Sequence, residues 1–328
     1  MTTPMRNPAA RFARGLSLIE LMVALVIGAL LIAGAVTVFL QSRNTYRTSD
    51  VVARMQEVGR YALDVISPDV RQAGFWGLTN RPMSFTSTAA AVTKDCAANF
   101  AVNIGVPIEG RDATATGGSG YNLAGCPAKT VPLPAVTPVT WSDLLIVRRV
   151  GVDQVPLENK RLQIQTNRET IVLFSDGVRP AGYNVAPQSE THNLSVGAYY
   201  IGETPAVNGI RQFALRRQTL IAGAGGPEMR DDEIVPGVQD MQVQFGLDVN
   251  GDGTVERYVN PEDAIPAGAR IATVQLWLLV VSDEREIGFT DSNRAYTYAN
   301  ASQTAAVFHD NRRRVLVSRT IQIRNAVT

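Results

Sequence analysis

Residues 10–31, ARFARGLSLIELMVALVIGALL, join a basic leader to an apolar run that carries one carboxylate, Glu20. The apolar run extends from Leu16 to Leu40, and as a helix it would be about 37 Å long, enough to cross a bilayer. A charge inside such a segment is unfavourable by a few kcal/mol and marks a functional contact. The stretch therefore predicts a membrane helix in which Glu20 has a partner.

The residues that precede this helix set its orientation. Arg6, Arg11 and Arg14 are accompanied by no acidic residue, so the positive-inside rule keeps this end in the cytoplasm. Everything after Leu40 is then exported, which places the two cysteines, Cys96 and Cys126, in an oxidising compartment. They lack the spacing and the histidines of a zinc site, and one disulfide that closes about 30 residues would contribute about 3 to 4 kcal/mol.

The overall charge argues against a nucleic-acid partner. The 328 residues include 31 basic and 30 acidic side chains, a formal net charge of +1, so no global field attracts a polyanion. Hydrophobic residues make up 45% of the chain, which is enough for one large or two modest domain cores. We therefore expect a folded exported part and no nucleic-acid binding.

Two ordinary targeting signals could also explain the N-terminus. A secretory signal peptide would be cleaved after a small-residue motif such as Ala33-Gly34-Ala35, but its apolar region is shorter and carries no carboxylate near its start. A plain signal anchor would account for the length and the arginines. Neither alternative gives a reason for Glu20 or for the glycine at position 15.

The same residues resemble the leader and N-terminal helix of type IV pilins and pseudopilins. The resemblance implies that a prepilin peptidase cleaves between Gly15 and Leu16 and that Leu16 becomes the N-methylated terminus, where the family more often has Phe. Glu20 is then the fifth residue of the mature chain and would meet the terminal ammonium of a neighbouring subunit. A missing partner would leave an uncompensated charge, which is unfavourable by several kcal/mol.

The pilin layout implies four segments. Residues 1–15 form the leader, 16–40 the transmembrane and filament-core helix, 41–74 its amphipathic continuation and 75–328 the exported head. The continuation has an apolar face with helical spacing, and Ser67-Pro68 predicts an interruption before an end near Gly74. The members of that face are Tyr46, Val51, Val52, Met55, Val58, Ala62, Leu63, Ile66 and Val70.

The head is predicted to be a mainly antiparallel β-sheet, which makes the fold class α+β. Residues 79–138 are rich in Ala, Thr, Gly, Pro and Asn and predict a loop-rich segment. Gly74-Phe75-Trp76-Gly77 is interpreted as an aromatic plug between helix and head. The segments with β-branched or alternating apolar residues are 143–150, 161–166, 170–176, 198–203, 210–218, 238–248, 270–282 and 313–325.

Four segments of the chain are similar to the minor pilin family PilW. They are QEVGRYALDVISPDVRQAGFWG (56–77), VPGVQDMQVQFGLDVNGDGTVERYV (235–259) and the strands RIATVQLWLLVVS and RRRVLVSRTIQIRN near the C-terminus. The resemblance implies a minor pilin that primes pilus assembly or sits near the filament tip. Its implied partners are other minor pilins, the major pilin, the prepilin peptidase and the inner membrane. The alternatives are a J-like type II secretion pseudopilin and a tip adhesin.

One loop predicts a possible metal site. In DVNGDGTVE, Asp248, Asn250, Asp252, Thr254 and Glu256 have the spacing of the first half of a calcium loop. The twelfth position is valine instead of the bidentate glutamate, although Glu262 or Asp263 could substitute. The alternative is a plain β-hairpin turn, since Asn-Gly and Asp-Gly are preferred hairpin dipeptides.

No motif in the sequence indicates a catalytic site. His192 and His309 are far apart and lack a motif context, so each is interpreted as a surface or hydrogen-bonded structural residue. GGSG at 117–120 lacks the spacing of a nucleophile elbow, and GAGGP at 223–227 does not open a helix. We expect no enzyme and no catalytic residue.

Overall fold

The computed structural model describes most of the chain. The described residues are 17–79, 82–89, 92, 101–112, 137–139, 141–184, 187–207, 209–261, 263–286, 288–289, 296–299 and 310–325. The predicted cleavage position at Gly15 and Leu16 and the predicted disulfide between Cys96 and Cys126 lie outside these residues. Both remain predictions from the sequence.

One helix and thirteen strands form the described structure. The helix α1 spans Leu18–Arg71. The strands are β1 Ser84–Ser87, β2 Ile108–Arg111, β3 Thr137–Pro138, β4 Leu144–Val150, β5 Asn159–Thr166, β6 Thr170–Asp176, β7 Glu190–Val207, β8 Ile210–Gly223, β9 Gly226–Pro236, β10 Val238–Asp248, β11 Arg257–Val259, β12 Arg270–Val281 and β13 Arg314–Gln322.

The chain divides into two units, Met1–Val51 and Val52–Thr328. The described part of the first unit is the N-terminal portion of α1, whose large apolar side chains are exposed from Leu18 to Leu40. By length and composition α1 is able to cross a membrane. Water-exposed leucines and isoleucines in an unbroken run need an apolar environment, which fits the membrane segment predicted from the sequence.

The second unit contains the last turns of α1, which bury one face in the head. Met55, Ala62, Leu63, Ile66 and Val70 are buried, and Val58 is partly buried. These positions recur at three- and four-residue steps, as the sequence pattern predicted.

Two predictions for the helix were wrong. The tyrosine at position 46 does not belong to a buried face, because 79% of its surface is exposed. The helix is also not interrupted at Pro68 but continues to Arg71. A proline removes one hydrogen bond of the helix, and tertiary packing of the neighbouring Ile66 and Val70 holds the last turn in place.

A close contact between α1 and β13 depends on a glycine. A Cβ atom added at Gly59 would lie 2.6 Å from Cγ2 and 3.1 Å from Cγ1 of Val317, and 3.3 Å from Cγ2 of Val280. Val317 is β-branched and stiff at χ1, so it cannot swing away easily. The absence of a side chain at Gly59 therefore allows the helix to lie directly on the strand.

We expect Gly59→Ala to lower the stability of the head by about 1 to 2 kcal/mol, because overpacking outweighs the higher helix propensity of alanine. Thermal unfolding of the detergent-solubilised chain, followed by circular dichroism, measures the change. The double variant Gly59→Ala with Val317→Ala removes both methyl groups in conflict and should be more stable than additivity predicts. Additive losses in the double variant would show that the contact does not limit packing.

The larger sheet has nine strands and is mainly antiparallel. Its main order is β1-β6-β5-β7-β4-β2, and β8 joins β7 to β9 while β3 pairs with the C-terminal end of β7. The pair β1 and β6 is parallel, and every other pair in the described chain is antiparallel. The long strand β7 is central because it pairs with β4, β5 and β8 along its length, in addition to the short β3.

The smaller sheet has four strands in the order β11-β10-β12-β13. All three pairs are antiparallel. Its inner face includes Met241, Val243, Phe245, Leu276 and Leu278, and they pack in one core with the apolar face of α1. Strands β2, β4, β7, β8 and β9 of the larger sheet also contribute residues to this core, so the last turns of α1 and both sheets share one apolar cluster.

A second core covers the opposite face of the larger sheet. Leu144 and Ile146 of β4 belong to this second core, whereas Leu145 and Val147 belong to the first. Burial on both faces explains the continuous apolar sequence of β4. Trp76 is 1% exposed and lies in the second core, with Phe75 packed against it, so the predicted burial of these aromatic residues is confirmed. The predicted plug between helix and head is wrong, because the described residues of this core include none from α1. The predicted α+β class, a long N-terminal helix and a mainly antiparallel head, is confirmed.

Candidate functional site

The first described residues form a capped helix start around Glu20. Ser17 precedes α1, and its Oγ accepts a hydrogen bond of 3.2 Å from the Glu20 amide. The first backbone bond of the helix runs from the Leu21 amide to the Ser17 carbonyl at 3.1 Å. A serine followed three residues later by glutamate is the capping-box pattern. This cap, to which Glu20 contributes its backbone amide, was not predicted from the sequence, and it has to be separated experimentally from the predicted contact of the Glu20 carboxylate with a neighbouring subunit.

The loop between β10 and β11 is built around the carboxylate of Asp248. This side chain is buried at the end of β10 and accepts hydrogen bonds from the amides of Gly251 at 2.6 Å and Gly253 at 3.0 Å. Both glycines have positive φ angles, 81° and 87°, which other residues rarely adopt. The loop thus connects two antiparallel strands, and it is held by side-chain hydrogen bonds to the backbone.

The structure brings together three of the five predicted metal ligands. Ligand oxygens of Asp248, Asp252 and Glu256 all lie within 4.8 Å of one another. The side chains of the other two predicted ligands bind Asp252: Asn250 Nδ2 donates to it at 3.1 Å, and Thr254 Oγ1 donates at 2.6 Å, which leaves the backbone carbonyl predicted for Thr254 as a ligand untested. The hydrogen bonds from Thr254 hold the pKa of Asp252 below its ordinary value, so this carboxylate stays ionised.

Two further carboxylates, in this loop and just after it, accept hydrogen bonds from backbone amides. Glu256 Oε2 accepts a hydrogen bond of 2.7 Å from the Val249 amide, and this bond links the two ends of the loop. The carboxylate of Asp263 accepts one from the Asn260 amide at 2.8 Å and serves its own turn. Glu262 lies outside the described residues. The loop is therefore a hairpin connection that also collects three carboxylates, the hard oxygen donors that Ca²⁺ prefers.

The calcium prediction is tested by thermal unfolding with and without the ion. Addition of about 5 mM CaCl₂ should raise the unfolding temperature of the wild-type chain, because extracellular calcium modules bind with dissociation constants of about 0.1 to 1 mM. Asp252→Ala should lose this increase, and MgCl₂ at the same concentration should not reproduce it. An equal increase in the variant, or none in the wild type, would show that the loop is only a hairpin connection.

A polar cluster that the sequence did not reveal joins the end of α1 to the larger sheet. Asp69 Oδ1 accepts hydrogen bonds from Arg149 Nε at 3.0 Å and from an Arg149 terminal nitrogen at 2.7 Å. Asp69 Oδ2 accepts one from the Tyr199 hydroxyl at 2.5 Å, and Arg217 lies 3.7 Å away. Burial, with the nearby Asp69 charge, raises the pKa of Tyr199, so its hydroxyl remains a donor. We call Asp69, Arg149, Tyr199 and Arg217 the Asp69 cluster.

His192 is a hydrogen-bonded structural residue, as the sequence suggested. Its side chain is buried, with Nδ1 2.9 Å from the Gly151 carbonyl oxygen and Nε2 3.1 Å from Glu190 Oε2. His309 lies outside the described residues.

Comparisons with known proteins agree with the resemblance seen in the sequence. Residues 198–325 match the family described as Type IV Pilus-assembly protein W, and residues 11–36 match the Prokaryotic N-terminal methylation motif. A search of curated protein sequences finds no match. Among solved structures, a type IV-like pilin from Thermus thermophilus is similar over 58% of this chain and 82% of its own, with 15% identity and a TM-score of 0.28.

The two family matches fall on most of the segments from which the resemblance was drawn, whereas the block 56–77 lies outside both. The methylation-motif match covers Glu20 and most of the apolar run, and the PilW match covers the smaller sheet together with the end of β7, β8 and β9. The prediction made from the sequence, a minor pilin of type IV pilus assembly that resembles PilW and carries a prepilin-type N-terminus, is confirmed by these matches.

Proposed function

We propose that this minor pilin primes the assembly of the type IV pilus or sits near the tip of the filament. The observation that carries the proposal is the combination of a methylation motif at residues 11–36 with a PilW match at residues 198–325. The matched family consists of structural assembly proteins. Assembly, in which the head presents surfaces and the helix packs in the filament, is the function we assign.

The proposed sequence of events has three steps. A prepilin peptidase cleaves after Gly15, the helix from Leu16 to Leu40 keeps the mature chain in the inner membrane, and the head folds in the periplasm. The subunit then leaves the membrane when α1 packs beside other minor pilins or the major pilin. The apolar side chains exposed along the first unit support this proposal, because only lipid or neighbouring helices would shield them from water.

Changing Gly15 to valine should leave an unprocessed precursor in the membrane, because the cleavage signal requires the small residue before Leu16. Intact-mass measurement of the chain from native membranes with the peptidase present checks this. The matched control is Gly34→Ala, a glycine of α1 beside which an added Cβ meets nothing within 4 Å and which should be processed normally. A normal mature mass for the Gly15 variant would contradict prepilin processing.

Deletion of the gene separates the proposal from the type II secretion alternative. We expect a strain without this chain to make few or no pili and to secrete its exported enzymes normally. Loss of secretion with normal piliation would assign the chain to the secretion system. Normal piliation together with loss of surface attachment would favour the tip adhesin.

A further inference from the structure

The outer edge of β13 is open along most of the strand. Two backbone bonds flank the pairing with β12, from the Ser282 amide to Arg313 and from the Ile323 amide to Ala272, each 2.9 Å long. Residues of an antiparallel strand alternate between bonding the partner strand and pointing away from it. The register is continuous, so the odd-numbered residues of β13 bond β12. The N–H and C=O groups that point outward belong to Leu316, Ser318, Thr320 and Gln322.

In the part of the chain that the structure describes, no backbone hydrogen bond reaches this outer edge. The side chains of Ser318, Thr320 and Gln322 are exposed, and that of Leu316 is partly buried. An exposed strand edge of this length is a template for pairing with another chain, and soluble proteins usually block it. The open edge therefore needs an explanation.

The other long edge strand of the head, β9, is blocked in the usual way. It carries five charged residues within eleven positions and a proline near each end. Between Val315 and Ile321, by contrast, β13 carries one charged side chain, Arg319, and this residue is bound to Asp64 of α1 at 2.6 Å. Charges and prolines thus block the edge of β9, whereas the edge of β13 is available for pairing.

A cavity lies beside the first residues of the same edge. It has a volume of about 450 Å³ and is lined by Val52 of α1, by Phe289, Tyr296 and Thr297, and by residues 313–316. The Arg313 guanidinium lies 4.3 Å from the centroid of the Phe289 ring. A strand that adds to β13 would place alternate side chains over this face of the sheet, and the cavity has room for one of them.

We propose that β13 binds an extended strand from the head of a different pilin subunit, so that the smaller sheet continues across the interface. A second copy of this chain paired antiparallel to the first is the wrong occupant. Antiparallel pairing of two identical edges requires a two-fold axis perpendicular to the sheet, which would reverse the Val52–Arg71 turns of one copy. Subunits anchored in one membrane by their N-terminal helices share a direction. This step rests on the proposed function.

The test uses the full-length chain in piliated cells with a benzophenone amino acid at Gln322 as a photo-crosslinker. Ser318→Pro removes one outward N–H, which prolines at edge positions can lack without loss of fold, and Ser318→Ala is the matched control that keeps it. We expect the crosslink to another pilin, identified by mass spectrometry, to fall about tenfold or more in Ser318→Pro and to change less than about twofold in Ser318→Ala. Unfolding temperatures verify that both variants fold, and Thr320→Pro with Thr320→Ala repeats the comparison at the next outward N–H.

Equal crosslink yields in the proline and alanine variants would overturn the inference, as would a crosslink that joins only copies of this chain. No crosslink from a chain that is recovered in sheared pili would also overturn it and leave the proposed function intact. A wild-type chain that is absent from pili would contradict the proposed function, and the strand pairing with it.

Discussion

Glu20→Ala should leave removal of the leader intact and reduce incorporation of the chain into pili by roughly a hundredfold. The expected loss corresponds to about 3 kcal/mol, the lower end for removal of one partner from a desolvated ion pair. The remaining partner is the terminal ammonium of a neighbouring subunit, which would stay charged in an apolar filament core. Quantitative immunoblots of sheared pili and of membranes, with the mature mass as a check on processing, measure both steps.

The structure makes this experiment sharper, because Glu20 also lies in a helix cap with Ser17. Glu20→Gln keeps the capping pattern, in which glutamine replaces glutamate well, and removes only the charge. Ser17→Ala removes the cap and keeps the charge of Glu20. If the ion pair is the cause, Glu20→Gln should behave like Glu20→Ala while Ser17→Ala is incorporated almost normally. Rescue by glutamine would assign Glu20 to the cap and refute the intersubunit contact.

Asp69→Ala should lower the stability of the head by about 3 kcal/mol, because it leaves Arg149 without its carboxylate partner in a largely buried position. The Arg149 and Asp69 side chains are 20% and 15% exposed, so water can compensate only in part. The Tyr199 hydroxyl and Arg217 lose the same partner. The unfolding temperature should fall by roughly 5 to 10 °C.

The matched control for Asp69 is Asp64, one turn earlier on α1. Asp64 forms an ion pair of 2.6 Å with Arg319, but its side chain is 57% exposed. Exposed pairs contribute less than about 1 kcal/mol, so Asp64→Ala should change the unfolding temperature little. Losses of similar size in the two variants would show that the Asp69 cluster is no more than a surface contact.

The predictions that the structure confirms are those that depend on patterns among residues close together in the sequence. The eight predicted strand segments correspond to β4, β5, β6, β7, β8, β10, β12 and β13, because β-branched and apolar residues mark strands that are buried on at least one face. The helical spacing after Leu40 likewise predicted the buried face of α1. The antiparallel head followed from the short turns between these segments.

Strands with polar sequences were missed. The strand β9 reads GPEMRDDEIVP, and its charges are compensated by β8 across the ladder: Arg216 is bound to Asp231 at 2.6 Å and to Glu233 at 2.9 Å. The first residues of β7, ETHN, are also polar and pair with β5. Because opposite charges on the neighbouring strand compensate these polar residues, β9 needs no apolar alternation of its own.

The Asp69 cluster and the contact at Gly59 show why the rest could not be predicted. Arg149 and Tyr199 are 80 and 130 residues from Asp69 in the sequence, so only the assembled sheets bring them to the helix end. Nothing near Gly59 in the sequence indicates that Val317 lies beside it. Both features depend on tertiary contacts that local patterns do not encode.

The most direct test of the account is the N-terminal sequence and intact mass of the protein from native membranes that contain the prepilin peptidase. The account predicts a chain that begins at N-methylated Leu16 and retains Glu20 as its fifth residue. A chain that begins at Met1, or one cleaved after Ala35, would contradict it and leave an ordinary membrane anchor or a secreted protein.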